Sequence, residues 1–368
     1  MPDHAGKRVI FLDQGILKDR HGKPIHGVEL FRLHLIADLV ARGIRVTIAA
    51  DRSWKPIIAD HFPDPRARPQ LLCPPPPARG TVINGLVAAL SARPPGAPPF
   101  DAAVFGDARR GLRPAIRLAR ARSISRRYLV FSHRHPTPAT ARSVARSGMP
   151  VLAVSEDVAR GFRNAGVADL AVHYGLPNTE ACHPPHQPLN KDTDPTVRFI
   201  LLGRMPNHFK GHDTAVEAFQ LLPEQVRQNA ELHLASFIDD TTINQPGVIT
   251  HRWTPKHEVP DLLRRMDIML TPSRNETFSQ AIVQGMLTEL PVIATPLPVF
   301  TEKLDTGAGL VCDSAEQFAT AMAELARDPA KRRAMGQTGR RTALERYVWD
   351  TDRFLNRYLF PEGPFGDA

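Results

Sequence analysis

Two cations and a carboxylate stand where they could work on a phosphate-bearing ligand. The apolar run Phe199–Leu202 ends in Gly203-Arg204, and Lys210-Gly211 follows six residues after the arginine. A guanidinium offers phosphate a bidentate fork and an ammonium offers it a point charge. Fixed beside a group that gains negative charge as it departs, such cations lower the barrier. Farther along, residues 267–295 read DIMLTPSRNETFSQAIVQGMLTELPVIAT, with the carboxylate of Glu276 and, eight residues on, the amide of Gln284. A third cluster is Ser132-His133-Arg134-His135-Pro136. Paired histidines suggest a metal, but no Asp, Glu or Cys nearby completes a ligand set, and no metal is assigned.

The elements that must hold these residues follow from periodicity. Ile268–Leu270, bounded by Thr271-Pro272-Ser273, predicts a buried strand that ends in a turn. From Glu276 the residues Phe278, Ala281, Ile282, Gly285 and Met286 fall at helical spacing, with the acid in the first turn. On a helix that starts there, Glu276 and Gln284 share one face. Pro291–Ala294 is a second strand, so the stretch predicts a βαβ unit of a parallel sheet. Ligands of such sheets sit beyond the carboxyl ends of the strands, where Ser273–Phe278 must lie. The strand ending at Gly203-Arg204 leads likewise into a helix at Thr214–Leu222. Leu232–Ala235 and Val248–Thr250 predict strands, and Lys256–Met266 a helix.

The first half has the same character. Val9–Leu12 and Val46–Ala50 are strands around a broad amphipathic helix, Val28–Arg42, closed by Gly43. His26-Gly27-Val28-Glu29 opens that helix, where free N–H groups can bind a phosphate, or Gly27 can simply make the turn. The G-x-G-x-x-G fingerprint of dinucleotide sites is absent. Ala102–Phe105, Tyr128–Phe131 and Val151–Val154 predict further strands, with Ser155 as an N-cap.

Pro272-Ser273-x-x-Glu276-x-Phe278, then Gln284-x-Met286 and Leu290–Thr295, resembles the nucleotide-sugar motif of glycosyltransferase family 4, the retaining GT-B class. Gly203-Arg204 with Lys210-Gly211 resembles that family's other strong motif. The resemblance covers nearly the whole chain, specific in the second half and loose in the first. It implies an α/β fold of two facing Rossmann-like domains with a cleft between them. The expected divisions are 1–175 on the acceptor side, a linker at 176–196, 197–345 on the nucleotide-sugar side, and 346–368 crossing back to the first domain. The Pro-rich, apolar-poor composition of 173–197 also reads as a linker.

The resemblance further implies roles. Arg204 and Lys210 hold the diphosphate, beside Gly203, and Glu276 bonds sugar hydroxyls. The N–H groups of Thr277, Phe278 and Ser279 add donors near the β-phosphate and sugar. Gln284 stands where the family has a second glutamate for the ribose. His133, with His135 as the alternative, contacts the donor sugar, and Gly27 the donor phosphate. Glu302 is retained from a Gly-Gly-x-x-Glu loop whose glycines are here Pro298 and Val299. Trp253, in the loop that receives the base, either stacks on it or packs. The implied activity is hexosyl transfer with retention, from a UDP- or GDP-linked donor to a glycan or lipid-linked acceptor, in cell-envelope or polysaccharide synthesis. The implied route is front-face and needs no metal or other cofactor. Gln284 and the missing glycines leave open a catalytically degenerate binding or scaffolding protein. A sugar-nucleotide epimerase on the same architecture is a further alternative.

Composition bounds these readings. A chain of 368 residues, 42% apolar and 23% charged, suits two domains with sizeable cores. Residues 1–175 carry 27 Lys and Arg against 13 Asp and Glu, whereas the remainder carries 20 against 25. The two halves therefore meet different partners. Much of the basic charge lies on a helix expected across Arg109–Arg127, which could rest on an anionic membrane, meet an acidic acceptor, or be a solvated face. No aromatic interleaving or nucleic-acid motif accompanies it. Cys73, Cys182 and Cys312 show no metal or redox spacing, which fits a reducing compartment. No signal-peptide core follows Lys7-Arg8 and no run spans a bilayer. A cytoplasmic protein, peripheral on the inner membrane face, is expected. Residues 63–80 and 93–99 are proline-dense and read as stiff connectors.

Overall fold

The computed structural model describes the chain except for residues 1–3, 13–26, 51, 53, 74–95, 107–111, 174, 178, 186–193, 206–207, 238–242, 253, 256 and 367–368. The chain divides into two compact units: Met1–Pro177 with Trp349–Ala368, and Asn178–Val348.

In the first unit, β1 (Arg8–Leu12), β2 (Arg45–Ala49), β3 (Gln70–Leu72), β4 (Phe100–Gly106), β5 (Ser125–Ser132), β6 (Val151–Ala153) and β7 (Leu170–Val172) form one parallel sheet. Its order is β3-β2-β1-β4-β5-β6-β7. Val9 pairs with Val46 on one side and Ala102 on the other. Parallel strands covered on both faces need apolar residues throughout, and Val9–Leu12 are all buried. The helices are α1 (Gly27–Ala41), α2 (Trp54–His61), α3 (Leu112–Ala121), α4 (Pro138–Ser147) and α5 (Glu156–Arg163). Gly43, at φ 76°, lets the chain leave α1. Ser155 caps α5 by accepting from Val158 N.

Two expectations for this unit are corrected. The proline-dense stretch contains β3, tolerated because it lies at the sheet edge, where Pro69 costs no ladder bond. The arginine-rich helix is shorter than Arg109–Arg127: α3 ends at Ala121, and Arg126 and Arg127 belong to β5, where the apolar period changes from helical to extended. Arg109 and Arg110 lie outside the described residues.

In the second unit, β8 (Val197–Met205), β9 (Ala230–Phe237), β10 (Val248–Arg252), β11 (Ile268–Thr271), β12 (Val292–Ala294) and β13 (Gly309–Val311) form a parallel sheet ordered β10-β9-β8-β11-β12-β13. Around it run α6 (His212–Gln220), α7 (Glu224–Arg227), α8 (Val259–Leu263), α9 (Gln280–Leu287), α10 (Pro298–Leu304), α11 (Ala315–Arg327) and α12 (Pro329–Arg346). Phe199, Phe219, Leu232, Leu234, Phe318 and Met322 belong to one buried cluster. The helix expected over Lys256–Met266 is only the five residues of α8, and Pro260 sits in its first turn, where proline is tolerated. Both sheets reverse their order beside their first strand, between β1 and β4 and between β8 and β11. That is where a doubly wound sheet opens a crevice for ligands.

After Val348 the chain rejoins the first unit. Trp349 stacks among Phe31, Phe131, His173 and Phe354. Its backbone runs so close to Gly175 that a Cβ there would lie 2.4 Å from the Trp349 Cα. The α-helical turn α13 (Thr351–Arg353) continues as a π-helical turn, Phe354–Leu359.

Candidate functional site

The order reversal of the second sheet brings together two segments far apart in sequence. β8 delivers Gly203 and Arg204, and β11, its neighbour, delivers Ser273 and the turn that follows. After β8 a 3-10 turn, His208–Lys210, leads through Gly211 into α6. Gly211 has φ 71°, and a Cβ on it would lie 2.0 Å from the Pro272 carbonyl oxygen. Both the left-handed backbone and the close approach require glycine there. This packing sets the Lys210 ammonium against the Glu276 carboxylate, an ion pair across 66 residues whose side chains are largely enclosed.

Two further side chains brace this junction. His212 Nε2–H donates to the Gly203 carbonyl at 3.2 Å. Burial lowers the His212 pKa to about 4, with Lys210 adding to the shift and the bond to Gly203 opposing it. Arg274 donates from Nη1 to the His208 carbonyl at 2.6 Å, from Nη2 to Asp213 at 2.7 Å and to Thr214 at 3.1 Å. Its backbone N–H donates to the Phe209 carbonyl at 2.7 Å. The bond to Asp213 raises the Arg274 pKa and, in turn, lowers that of Asp213. One arginine of the 272–279 turn thus holds the loop that carries Lys210.

The turn itself differs from expectation. Helix α9 starts at Gln280, so Glu276 is not in its first turn. Ser279 adopts φ 61°, a left-handed conformation that breaks helical continuity between Glu276 and Gln280. Glu276–Ser279 is therefore an open turn, and the shared helical face of Glu276 and Gln284 does not exist. Gln284 lies in the second turn of α9, half-buried. A Cβ on Gly285 would meet Met269 Sδ at 2.6 Å, so the glycine lets α9 lie close to β11. Thr295 Oγ1 donates to the Ser273 carbonyl at 2.5 Å, tying the ends of β11 and β12.

Glu302 is likewise helical, within α10, because Pro298 supplies a preset φ at the helix start where the family pattern has a flexible glycine. Beside it stands a residue the sequence reading missed. Lys303 is fully buried, and its ammonium lies 4.6 Å from the Phe278 ring centroid and 4.8 Å from that of Tyr347. It donates to the Val299 carbonyl at 3.2 Å and sits 3.4 Å from Glu302 Oε1. Burial brings its pKa down to about 8, against the attraction of Glu302 and Glu276. The signal was present: Lys303 follows Val299 and Phe300 by four and three residues, on the apolar face of the helix.

Two expected site residues in this unit escape description. The side chain of Arg204 and the whole of Trp253 lie outside the described residues. In the first unit, His133 directly follows β5, is 5% exposed, and packs on Phe131 and Phe31 at ring distances of 4.4 and 5.3 Å. His135 is exposed instead, 3.5 Å from Asp157. Gly27 is the first residue of α1, while His26 before it is outside the described residues. Among the described residues no group of three His, Cys, Asp or Glu could hold a metal ion. No described helix is long and apolar enough to cross a membrane.

Residues 196–328 match the family described as "Glycosyl transferases group 1". A D-inositol 3-phosphate glycosyltransferase of Xylanimonas cellulosilytica is 28% identical to this chain over 164 residues, 41% of the chain and 39% of the relative's own length. The chain therefore matches about two fifths of that relative. Anabaena HepE, solved in complex with UDP-glucose, superposes with a TM-score of 0.67 at 16% identity, covering 93% of this chain and 95% of that one. A glycosyltransferase of Rickettsia africae superposes with a TM-score of 0.70 at 14% identity, over 93% and 95%. At such identities the likeness concerns the fold, and the fold is GT-B: two parallel, Rossmann-like sheets, the second containing most of the matched residues 196–328.

Proposed function

We propose that this protein is a retaining hexosyltransferase that moves a sugar from a nucleotide-sugar donor to a glycan or lipid-linked acceptor. The observation that carries the reading is the meeting of Lys210 and Glu276 at the order reversal of the second sheet. In this reading Arg204 and Lys210 bind the donor diphosphate and stabilise the charge it gains on leaving. An incoming diphosphate competes with Glu276 for the Lys210 ammonium, which releases the carboxylate to accept from sugar hydroxyls. The 276–279 turn adds backbone N–H donors, and Gln284 accepts from the ribose without charge assistance. A phosphate oxygen takes the acceptor proton on the front face, so no carboxylate nucleophile and no metal are required. The UDP-glucose complex of HepE supports a UDP-linked hexose as the first donor to try.

The basic first half supports an anionic or lipid-borne acceptor. On α3 and its exit Arg117, Arg120 and Arg122 are exposed, a surface suited to anionic lipid on the inner membrane face. Flotation with anionic vesicles tests this: salt-sensitive binding is expected, and its absence leaves these arginines as a solvated face.

The donor reading is tested by thermal unfolding against UDP, GDP, ADP and TDP. A nucleotide at 100 times its Kd adds ~2.7 kcal/mol, a shift of a few degrees. Selective stabilisation by one nucleotide, with release of that nucleotide during turnover, is the expected result. Binding without turnover would make the chain a degenerate binding protein. Release of UDP with an epimerised free sugar would make it an epimerase.

A further inference from the structure

Lys303 occupies a position where an apolar side chain would pack at lower cost. Taking an ammonium out of water is expensive unless each of its donors is met, and a buried ion is often no better than a hydrophobic residue of similar volume. Around Lys303 the compensation is complete and comes from three directions. Its own helix, α10, supplies the Val299 carbonyl and the Glu302 carboxylate. The 276–279 turn supplies the Phe278 face and the attraction of Glu276. The end of α12 supplies the Tyr347 face, and the Tyr347 hydroxyl donates to the Glu302 carbonyl at 3.2 Å. The Phe278 and Tyr347 rings also meet edge to face, 6.3 Å apart. Phe278 and Glu276 thus tie this cluster to the Glu276–Ser279 turn, which includes the left-handed Ser279.

We propose that Lys303 is a positioning residue whose positive charge holds the Glu276–Ser279 turn in its donor-binding conformation, so that loss of this charge weakens donor binding. The inference rests on the donor reading above. A cation attracts ring faces and carboxylates; a neutral amine does neither. Removing the proton therefore releases Phe278 and leaves Glu276 and Glu302 without a shared counter-ion.

The pH dependence has two opposite signs. Burial places the Lys303 pKa at about 8, below the ordinary lysine value of 10.5. Charge, and with it donor binding, is present below pH 8 and lost above it. Stability moves the other way, because the unfolded chain binds more protons between about pH 8 and 10.5, where the folded state gains as pH rises. The titratable groups that face the ammonium are Glu302, Glu276 and Tyr347, the last through its ring. Tyr347 itself faces Arg346 and Asp305, and burial pushes its phenol upward, away from this window.

The experiment measures UDP affinity by calorimetry, donor kcat and KM, and melting temperature from pH 6.5 to 10. It compares the wild type with Lys303→Met and Lys303→Arg. Expected in the wild type are UDP affinity and kcat/KM that fall above pH 8 while the Lys303 contribution to melting temperature rises. Lys303→Met is expected to bind about tenfold more weakly at pH 7, with that alkaline limb gone. Lys303→Arg is expected to recover part of the affinity and to move the limb upward, since a guanidinium stays charged. A Lys303→Met protein that melts normally and keeps both wild-type affinity and the alkaline limb overturns the positioning role, while the donor reading stands. A wild type that binds none of the nucleoside diphosphates at pH 7 overturns the donor reading and this inference with it.

Discussion

Glu276 pairs with Lys210 and attracts the buried Lys303. Lys210 approaches the carboxylate from β8 and its following loop, on the side where a diphosphate is expected. Arg204→Ala and Lys210→Ala should each lower kcat by about 10²-fold or more if these cations stabilise the leaving group; an unchanged kcat would remove the residue from the mechanism. Gln284→Glu should keep activity or raise it, because a carboxylate regains roughly 1 kcal/mol of charge assistance toward a ribose hydroxyl. Steady-state kinetics with the best donor decide this, and complete loss would sink the assigned role. Lys210 and Glu276 were singled out by residue type and spacing, and the fold brings them together; the helical face expected for Glu276 and Gln284 is absent. Lys303 was missed, because its helical spacing from Val299 and Phe300 carries meaning only once that stretch, expected as a loop, is known to be α10. His212 was hidden for a similar reason: its role lies in a neutral imidazole bonded to a backbone carbonyl, which no motif records.

At the scale of elements, ten of the thirteen described strands were readable as short apolar runs, and so was α1, whereas the three-residue edge strands β3, β7 and β13 were not. The start of α9 was not. A carboxylate followed by apolar residues at helical spacing looks like a first turn. The break comes from the left-handed Ser279, a conformation that serine seldom marks in sequence. Gly211 shows the converse, a glycine whose need becomes clear only when β11 is laid beside it. Gly211→Ala should cost about 2–4 kcal/mol, from left-handed strain and from contact with the Pro272 carbonyl. Denaturant unfolding measures it, and a loss within error would mean that the loop relaxes freely. Pro298 turns an expected loop into α10, and that helix is what carries Lys303 beneath the turn.

For the whole molecule, each unit holds a histidine that burial keeps neutral. His173 in the first unit and His212 in the second both have pKa values of about 4. Both values lie below the ordinary 6.5, so the unfolded chain takes up more protons as pH falls from 6.5 to 4, and stability is lost across that window. Each group contributes up to about 3 kcal/mol to this loss. Melting temperatures from pH 7 to 4 should fall, and His212→Asn should flatten the fall; an unchanged slope would show that His212 is not a source of it.

The first unit is assembled from both ends of the chain, with Trp349–Ala368 supplying Trp349, Phe354 and Tyr358 to its packing. On a ribosome that arrangement imposes an order. When Pro177 emerges, the C-terminal rings that pack on Phe31, Phe131 and His173 are still unmade, and the second unit can close on itself before the first has its last pieces. A fragment of residues 178–348 should therefore fold alone, whereas 1–177 should remain prone to aggregation until a peptide of residues 349–368 is added. Limited proteolysis of the two fragments, with and without that peptide, reads the outcome. A protected 1–177 without the peptide would mean that the returning segment decorates a unit already complete.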